Sequence, residues 1–278
     1  MAWYDDLVLP TGLLRLCALQ ACDPGFVRIE LSEGVGPAGS CADPARDYES
    51  GALVPQGAWR TPTADEWRLL TTDTAPADMG RSIAVVRLCD QDRDLRVNLS
   101  RKGVVALLQR NCALEEPLIC IGYGTGLPGL RTTTIDQQAG TYTGLHVDNW
   151  DRSRLGARER ALNRVCVNIG REPRYFLYLP ASLTDIAALT ADALESGAVA
   201  VPDYTGLARV FMTRYPWFPV VRCRLEPNEA YIAPTENLVH DGSSAGQTSP
   251  DEHYTILGHI RLGKDCLLGF TNRRASVA

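Results

Sequence analysis

Residues 163–180 read NRVCVNIGREPRYFLYLP. Two runs rich in β-branched and aromatic residues flank a stretch carrying Gly170 and Pro173, which predicts two strands separated by a turn. The same texture extends from Pro117 onward. LICIGYG (118–124), TYTGLHVDNW (141–150), PVVRCRL (219–225), EAYIAP (229–234) and HYTILGHIRL (253–262) are each short and bounded by turn formers. One helix interrupts them over Thr184–Glu195, where Ile186, Leu189 and Leu194 recur near helical spacing. Many strands, few helices and no βαβ alternation predict a mainly β protein with flanking helices, a sandwich or double-sheet jelly roll.

The first 115 or so residues have a mixed texture. Thr63 followed by Glu66 has the spacing of a capping box and predicts a short helix to Leu70. Val85–Leu88 reads as a strand, Arg101–Gln109 as a helix and the Gly- and Pro-rich stretch 34–57 as loop; the apolar run Leu13–Leu19 is undecided between types. The predicted division is an α+β portion, residues 1–115, packed as one compact unit on a jelly-roll core, residues 116–278.

With 278 residues, the chain can bury a sizeable core without disulfides. A net charge of −5 and the absence of any Lys/Arg run speak against nucleic acid or an anionic membrane as partner. Lys102 and Lys264 are the only lysines among 28 cationic side chains, a bias expected of a GC-rich genome. The nine cysteines show no C-x-x-C spacing, and Cys120 and Cys166 lie inside apolar runs, a usage suited to a reducing cytosol. The N-terminus MAWYDDLVLP carries acidic residues where a signal peptide needs basic ones, so the expected location is cytoplasmic.

Within TYTGLHVDNW, strand alternation points His146 and Asp148 to the same side, about 7 Å apart at their Cα atoms. An imidazole and a carboxylate so placed can take two adjacent positions on one metal ion. Of the four histidines, His240 is best placed to be third, because NEAYIAPTENLVHDG reads as a strand and turn with this His at the exit. Two His and one carboxylate leave three positions open, as in iron(II) oxygenases; the same ligands also suit zinc. H-x-D alone also arises where a histidine merely hydrogen-bonds a neighbour.

From these residues on, the chain resembles the Jumonji-type and asparaginyl-hydroxylase-like (cupin) branch of the 2-oxoglutarate oxygenases. Three stretches, within residues 141–263, carry the resemblance. They are T-x-x-H-x-D (Thr143, His146, Asp148); the strand opened by Asn163, with Gly170, Arg174 and Pro180 following; and NEAYIAPTENLVHDG. The sequence departs from the pattern at Arg174, where the family uses Lys. It departs again at Glu236, Asn237 and Leu238, which replace an aromatic pair, and in the long polar loop after His240. No Arg stands between His240 and Arg261, although related enzymes place one about a dozen residues after the second His.

The resemblance implies a double-stranded β-helix that binds Fe(II), 2-oxoglutarate and O2 and couples cosubstrate decarboxylation to oxidation of a substrate C–H bond. His146, Asp148 and His240 would ligate the metal. Arg174 would hold the distal carboxylate, with Thr143 donating a hydroxyl to it and Asn163 near the C1 end; a guanidinium substitutes for Lys there by bidentate pairing. Asp148 at the carboxylate position favours hydroxylation or desaturation over halogenation. Trp150 and Arg152, just after the metal motif, are the candidate substrate contacts. The 241–252 loop reads equally as lid or surface, RYPWFP (214–219) as core before aromatic wall, and His259 as a hydrogen-bonded His. The expected function is oxidation of a small molecule, such as an amino-acid-derived specialised metabolite, with a homodimer as the candidate assembly. The alternatives are a protein side-chain hydroxylase and a non-catalytic cupin-like metal- or ligand-binding protein.

Overall fold

Residues 163–180 do form two strands, but the turn between them carries the chain from one sheet to another. A computed structural model describes residues 3–4, 7–19, 28–40, 47–72, 79–88, 100–109, 112–199 and 203–262. Its strands are β1 (Arg15–Leu19), β2 (Arg28–Leu31), β3 (Gly34–Pro37), β4 (Leu53–Gln56), β5 (Thr71–Thr72), β6 (Ser82–Arg87), β7 (Ala113–Gly126) and β8 (Ile135–Asp136). They continue with β9 (Thr141–Tyr142), β10 (Asn163–Asn168), β11 (Arg174–Ser182), β12 (Val221–Leu225), β13 (Glu229–Ala233), β14 (Leu238–Ser243) and β15 (Asp251–Arg261). The helices are α1 (Ala64–Leu70), α2 (Arg101–Leu108), α3 (Leu183–Leu189), α4 (Ala191–Glu195) and α5 (Tyr204–Arg214).

The protein is mainly β, with a curled mixed sheet and a few helices. Seven strands run in the order β5-β1-β6-β13-β10-β15-β7 and four in the order β14-β11-β12-β2. β1 is parallel to β5 and β6; every other pairing in these two sheets is antiparallel. The turn between the two sheets is tied down by Asn168. Its Oδ1 accepts the Gly170 N–H at 3.0 Å, and its Nδ2 donates to the Glu172 and Leu225 carbonyls.

Alternation on β11 shows how the layers assemble. Phe176 and Tyr178 point inward and join Cys166, Tyr231, Ala233 and Cys223 in a core between the sheets, where the Phe176 and Tyr231 rings stack with centroids 3.9 Å apart. Leu177 and Leu179 point the other way and pack under Ile186, Leu207 and Phe211 of α3 and α5. On the long sheet, Val165, Val167 and Ile256 face outward to Val104, Leu107 and Leu108 of α2.

The N-terminal residues continue both sheets: β6 pairs with β13 and β2 with β12. The undecided run becomes β1. The capping box forms as predicted, the Thr63 hydroxyl accepting the Glu66 N–H and Glu66 Oε2 accepting the Thr63 N–H. The stretch read as loop holds β3 and β4, paired with each other, while residues 41–46 of it lie outside those described. The helix expected over Thr184–Glu195 is two helices. Thr190 leaves helical geometry at φ −127°, and its hydroxyl donates to the Ile186 carbonyl at 2.6 Å, ending α3. In RYPWFP, Phe218 is buried against Phe211 and Trp3, as core packing predicts.

Candidate metal centre

TYTGLHVDNW is not one continuous strand. β9 ends at Tyr142, and Gly144 turns the chain at φ +72°, where a Cβ would lie 2.6 Å from the Leu53 carbonyl oxygen. Beyond the turn, His146 pairs with His240 of β14. The His146 N–H donates to the His240 carbonyl at 3.1 Å, and the His240 N–H donates back at 2.8 Å. His240 therefore lies inside a strand, not at its exit. Residues that exchange both backbone hydrogen bonds hold their side chains on one face about 5 Å apart, and the imidazole centroids lie 4.7 Å apart. Asp148, two residues on, is anchored by its N–H to the Thr235 carbonyl at 3.1 Å. The result is a buried cluster in which one ligand atom each of His146, Asp148 and His240 lies within 4.8 Å of the others, and which can hold a metal ion.

The imidazoles are oriented for ligation. His146 Nδ1 lies 2.9 Å from the Gly144 carbonyl and His240 Nδ1 3.3 Å from the Leu238 carbonyl. A carbonyl only accepts, so each Nδ1 carries a proton, and the neutral form of each ring presents the Nε2 lone pair. Those Nε2 atoms lie 3.8 Å and 3.6 Å from the Asp148 carboxylate oxygens. Burial pushes the His240 pKa down to about 3, keeping that ring neutral. At His146 burial acts in the same direction, but the Asp241 carboxylate 3.6 Å from Nδ1 outweighs it and the pKa is raised. Burial also opposes the charge on Asp148, yet Arg164 first, and then the histidines, hold its carboxyl below the usual range.

Three groups that the sequence motifs do not mark complete the centre. Arg164 on β10 reaches Asp148 Oδ2 with both Nε, at 3.1 Å, and Nη2, at 2.8 Å. Arg158, fully buried, donates to the Asp148 carbonyl at 2.7 Å, to the Glu236 and Ser153 carbonyls and to Asn149, and its guanidinium lies 4.0 Å over the Tyr204 ring. It locks the backbone that carries Asp148. Asp241 is buried with Oδ1 accepting from the Thr133, Thr134 and Gly242 N–H groups, which leaves Oδ2 turned to His146.

No family model, curated protein or solved structure matches the chain.

Arg174 is buried on the inward face of β11. Its Nη2 lies 3.2 Å from Asp251 Oδ2, its Nη1 donates to Cys166 Sγ at 3.0 Å, and its Nε has no hydrogen-bond partner. The Tyr178 hydroxyl, on the same face and directly across from His240, is also buried without a partner. Burial raises its pKa, so it stays a phenol able to donate. Arg261 is elsewhere: its side chain is 76% exposed and pairs with Glu115 at 2.6 Å. Asn163 is not brought to the centre either. It shares the outward face of β10 with Val165, donates to the Met79 carbonyl at 3.0 Å and lines a separate cleft of about 310 Å³ with His259 and Arg261. Alternation gives the inward place to Arg164.

Thr143 is half-buried, its N–H bonded to the Thr134 carbonyl, with the Gly144 turn between it and His146. Trp150 is 55% exposed and lies against Arg164, whose guanidinium carbon is 5.9 Å from the ring centroid. Arg152 is exposed, with a positive φ of 50°. The loop after His240 is pinned across 244–250: Glu172 accepts from the Thr248 and Ser249 N–H groups and the Thr248 hydroxyl. No helix among the described residues is long and apolar enough to cross a membrane.

Proposed function

We propose that this chain is a mononuclear iron(II) oxygenase that uses 2-oxoglutarate to oxidise a small molecule, on a double-stranded β-helix. The observation that carries the reading is the convergence of His146, Asp148 and His240 from segments 92 residues apart, with both Nε2 atoms within 3.8 Å of the Asp148 carboxylate. Two imidazoles and a carboxylate suit a divalent ion of the iron and zinc kind. Unspent donors in the adjoining interior, Arg174 Nε and the Tyr178 hydroxyl, favour the oxygenase, because they await an anionic oxygen-rich guest. The strand order supports the fold: from β7 onward the chain passes between the two facing sheets, with the His146 segment bridging to β14.

In this reading His146, Asp148 and His240 hold iron(II), which when bound supplies oxygen activation coupled to conversion of 2-oxoglutarate to succinate and carbon dioxide. The chain's own residues position and exclude. Arg174 pairs with the distal carboxylate in place of, or alongside, Asp251, and its fork gives that contact direction. Tyr178 donates to the cosubstrate near His240. Arg164 and Arg158 fix the carboxylate and backbone of Asp148. Burial of all three ligands keeps bulk water from the reacting atoms.

The test is succinate release from 2-oxoglutarate by the anaerobically iron-loaded protein on admission of air. Wild type should release it and His240→Ala should not. Absence of succinate from the iron-loaded wild type, or equal release by both proteins, contradicts the proposal.

A further inference from the structure

Arg164 has an edge to spare. A guanidinium presents two carboxylate-binding edges, one formed by Nε and one Nη, the other by both Nη atoms. Asp148 Oδ2 takes the first, through Nε and Nη2. Among the described residues no acceptor meets Nη1. The side chain is 19% exposed, so Arg164 lies where the buried centre meets solvent. There the exposed Trp150 ring stands against the guanidinium. The arrangement is a cation with a directional pair of donors beside a metal-binding carboxylate, flanked by an aromatic surface.

We propose that Arg164 and Trp150 form the substrate-anchoring site, and that the substrate is a small molecule bearing a carboxylate. The inference rests on the proposed oxygenase reading for the meaning of "substrate". The free edge fixes the ligand class, since two parallel N–H groups match two carboxylate oxygens. Charge fixes the valence: one guanidinium already shared with Asp148 balances a monoanion better than a dianionic phosphate. Position fixes the role. The anchor abuts Asp148, so a carboxylate held there brings the neighbouring carbon atoms next to the metal centre, while Arg174 remains for the cosubstrate in the interior. Trp150 offers its ring to the apolar part of the same molecule.

The experiment titrates the twenty L-amino acids and the straight-chain C3–C8 carboxylic acids, each against its primary amide, into full-length protein loaded with Mn(II) and 2-oxoglutarate. Heat of binding is the readout. At least one acid should bind about tenfold or more tightly than its amide. That preference should vanish in Arg164→Gln and in Arg164→Lys, which keeps a charge beside Asp148 but has no second edge. Arg261→Gln, at an exposed pair with Glu115 away from the centre, should retain it. Trp150→Ala, at an exposed position, should weaken acid and amide alike.

Three outcomes overturn the proposal: no acid in the panel preferred over its amide, a preference that survives Arg164→Gln, or a loss in Arg164→Gln of 2-oxoglutarate affinity alone. Failure of Mn(II) or 2-oxoglutarate to bind is seen in the preceding loading titrations and counts against the oxygenase reading. The acid–amide comparison then proceeds on the metal-free protein, in which Arg164 and Trp150 stand as described, with the same outcomes deciding.

Discussion

Replacing Arg174 by Gln removes the buried partner of Asp251 and, under the proposed function, the cation for 2-oxoglutarate, and the structure allows the two roles to be separated. In the resting protein its Nη2 lies 3.2 Å from Asp251 Oδ2, with the two side chains 4% and 1% exposed. Deleting one member of a buried pair costs about 3–5 kcal/mol, because the other charge is left uncompensated. At about 2–4 °C per kcal/mol, melting should fall by about 6–20 °C. Adding Asp251→Asn removes the stranded charge, so the double variant should recover most of that loss. Recovery of stability should not restore cosubstrate binding. A bidentate guanidinium–carboxylate contact is worth about 1.5–3 kcal/mol, or about 10–150-fold in dissociation constant. The assay is calorimetric titration of 2-oxoglutarate into Mn(II)-loaded wild type, double variant and Arg261→Gln, with melting curves on the same samples. Arg261→Gln removes only an exposed pair with Glu115 and should leave both quantities unchanged. A double variant that binds 2-oxoglutarate within about twofold of wild type, or a larger loss in Arg261→Gln, would refute the assignment of Arg174.

Asp148→Asn keeps a hydrogen-bonding partner for Arg164 but removes the ligand charge, so succinate formation should vanish with a melting shift no greater than metal removal causes in wild type; succinate at the wild-type rate would remove Asp148 from the centre. Gly242→Ala places a Cβ 2.5 Å from Thr133 Oγ1 and 2.9 Å from Arg174 Nη2. The guanidinium must shift, and titration should show weaker 2-oxoglutarate binding, with a stability loss of about 1–3 kcal/mol. Stability should also depend on pH through His253, whose pKa burial first, and then Arg174 and Arg164, push down to about 3 from 6.5. The unfolded chain takes up that proton before the native one, so this contribution is complete above pH 6.5 and is lost as pH falls toward 3. His240 acts with the same sign and His146, its pKa raised, with the opposite one. Urea midpoints of metal-free protein at pH 6.5 and pH 5 should show a smaller drop in His253→Gln than in wild type, by on the order of 1–2 kcal/mol; equal drops would contradict the shift.

The grouping of His146 and Asp148 was legible in the sequence because its grammar is local. An i, i+2 pair faces one way in any extended segment, and that held for His146 and Asp148 even though Gly144 interrupts the strand expected there. Alternation also explains the misplacement of Asn163. Had Val165 and Val167 been read as an outward apolar face, Arg164 and Cys166 would have been assigned to the interior. The residues that steady Asp148 carried no such signal. Arg158 meets Asp148 across a 3₁₀ segment, and Asp241 is turned to His146 by backbone donors more than a hundred residues away in sequence. The turn at 169–173 looked like any connection between neighbouring strands, and only tertiary packing sends β10 and β11 to different sheets. The broken helix at Thr190 was likewise hidden, since the spacing of Ile186, Leu189 and Leu194 persists across the break.

The central claim is that one metal ion sits among His146, Asp148 and His240. The direct measurement is anomalous diffraction at the iron edge from crystals grown anaerobically with stoichiometric Fe(II). A single peak about 2.0–2.3 Å from both Nε2 atoms and an Asp148 carboxylate oxygen is the predicted result. A peak ligated by other residues, or none between these three at full iron loading, would contradict it.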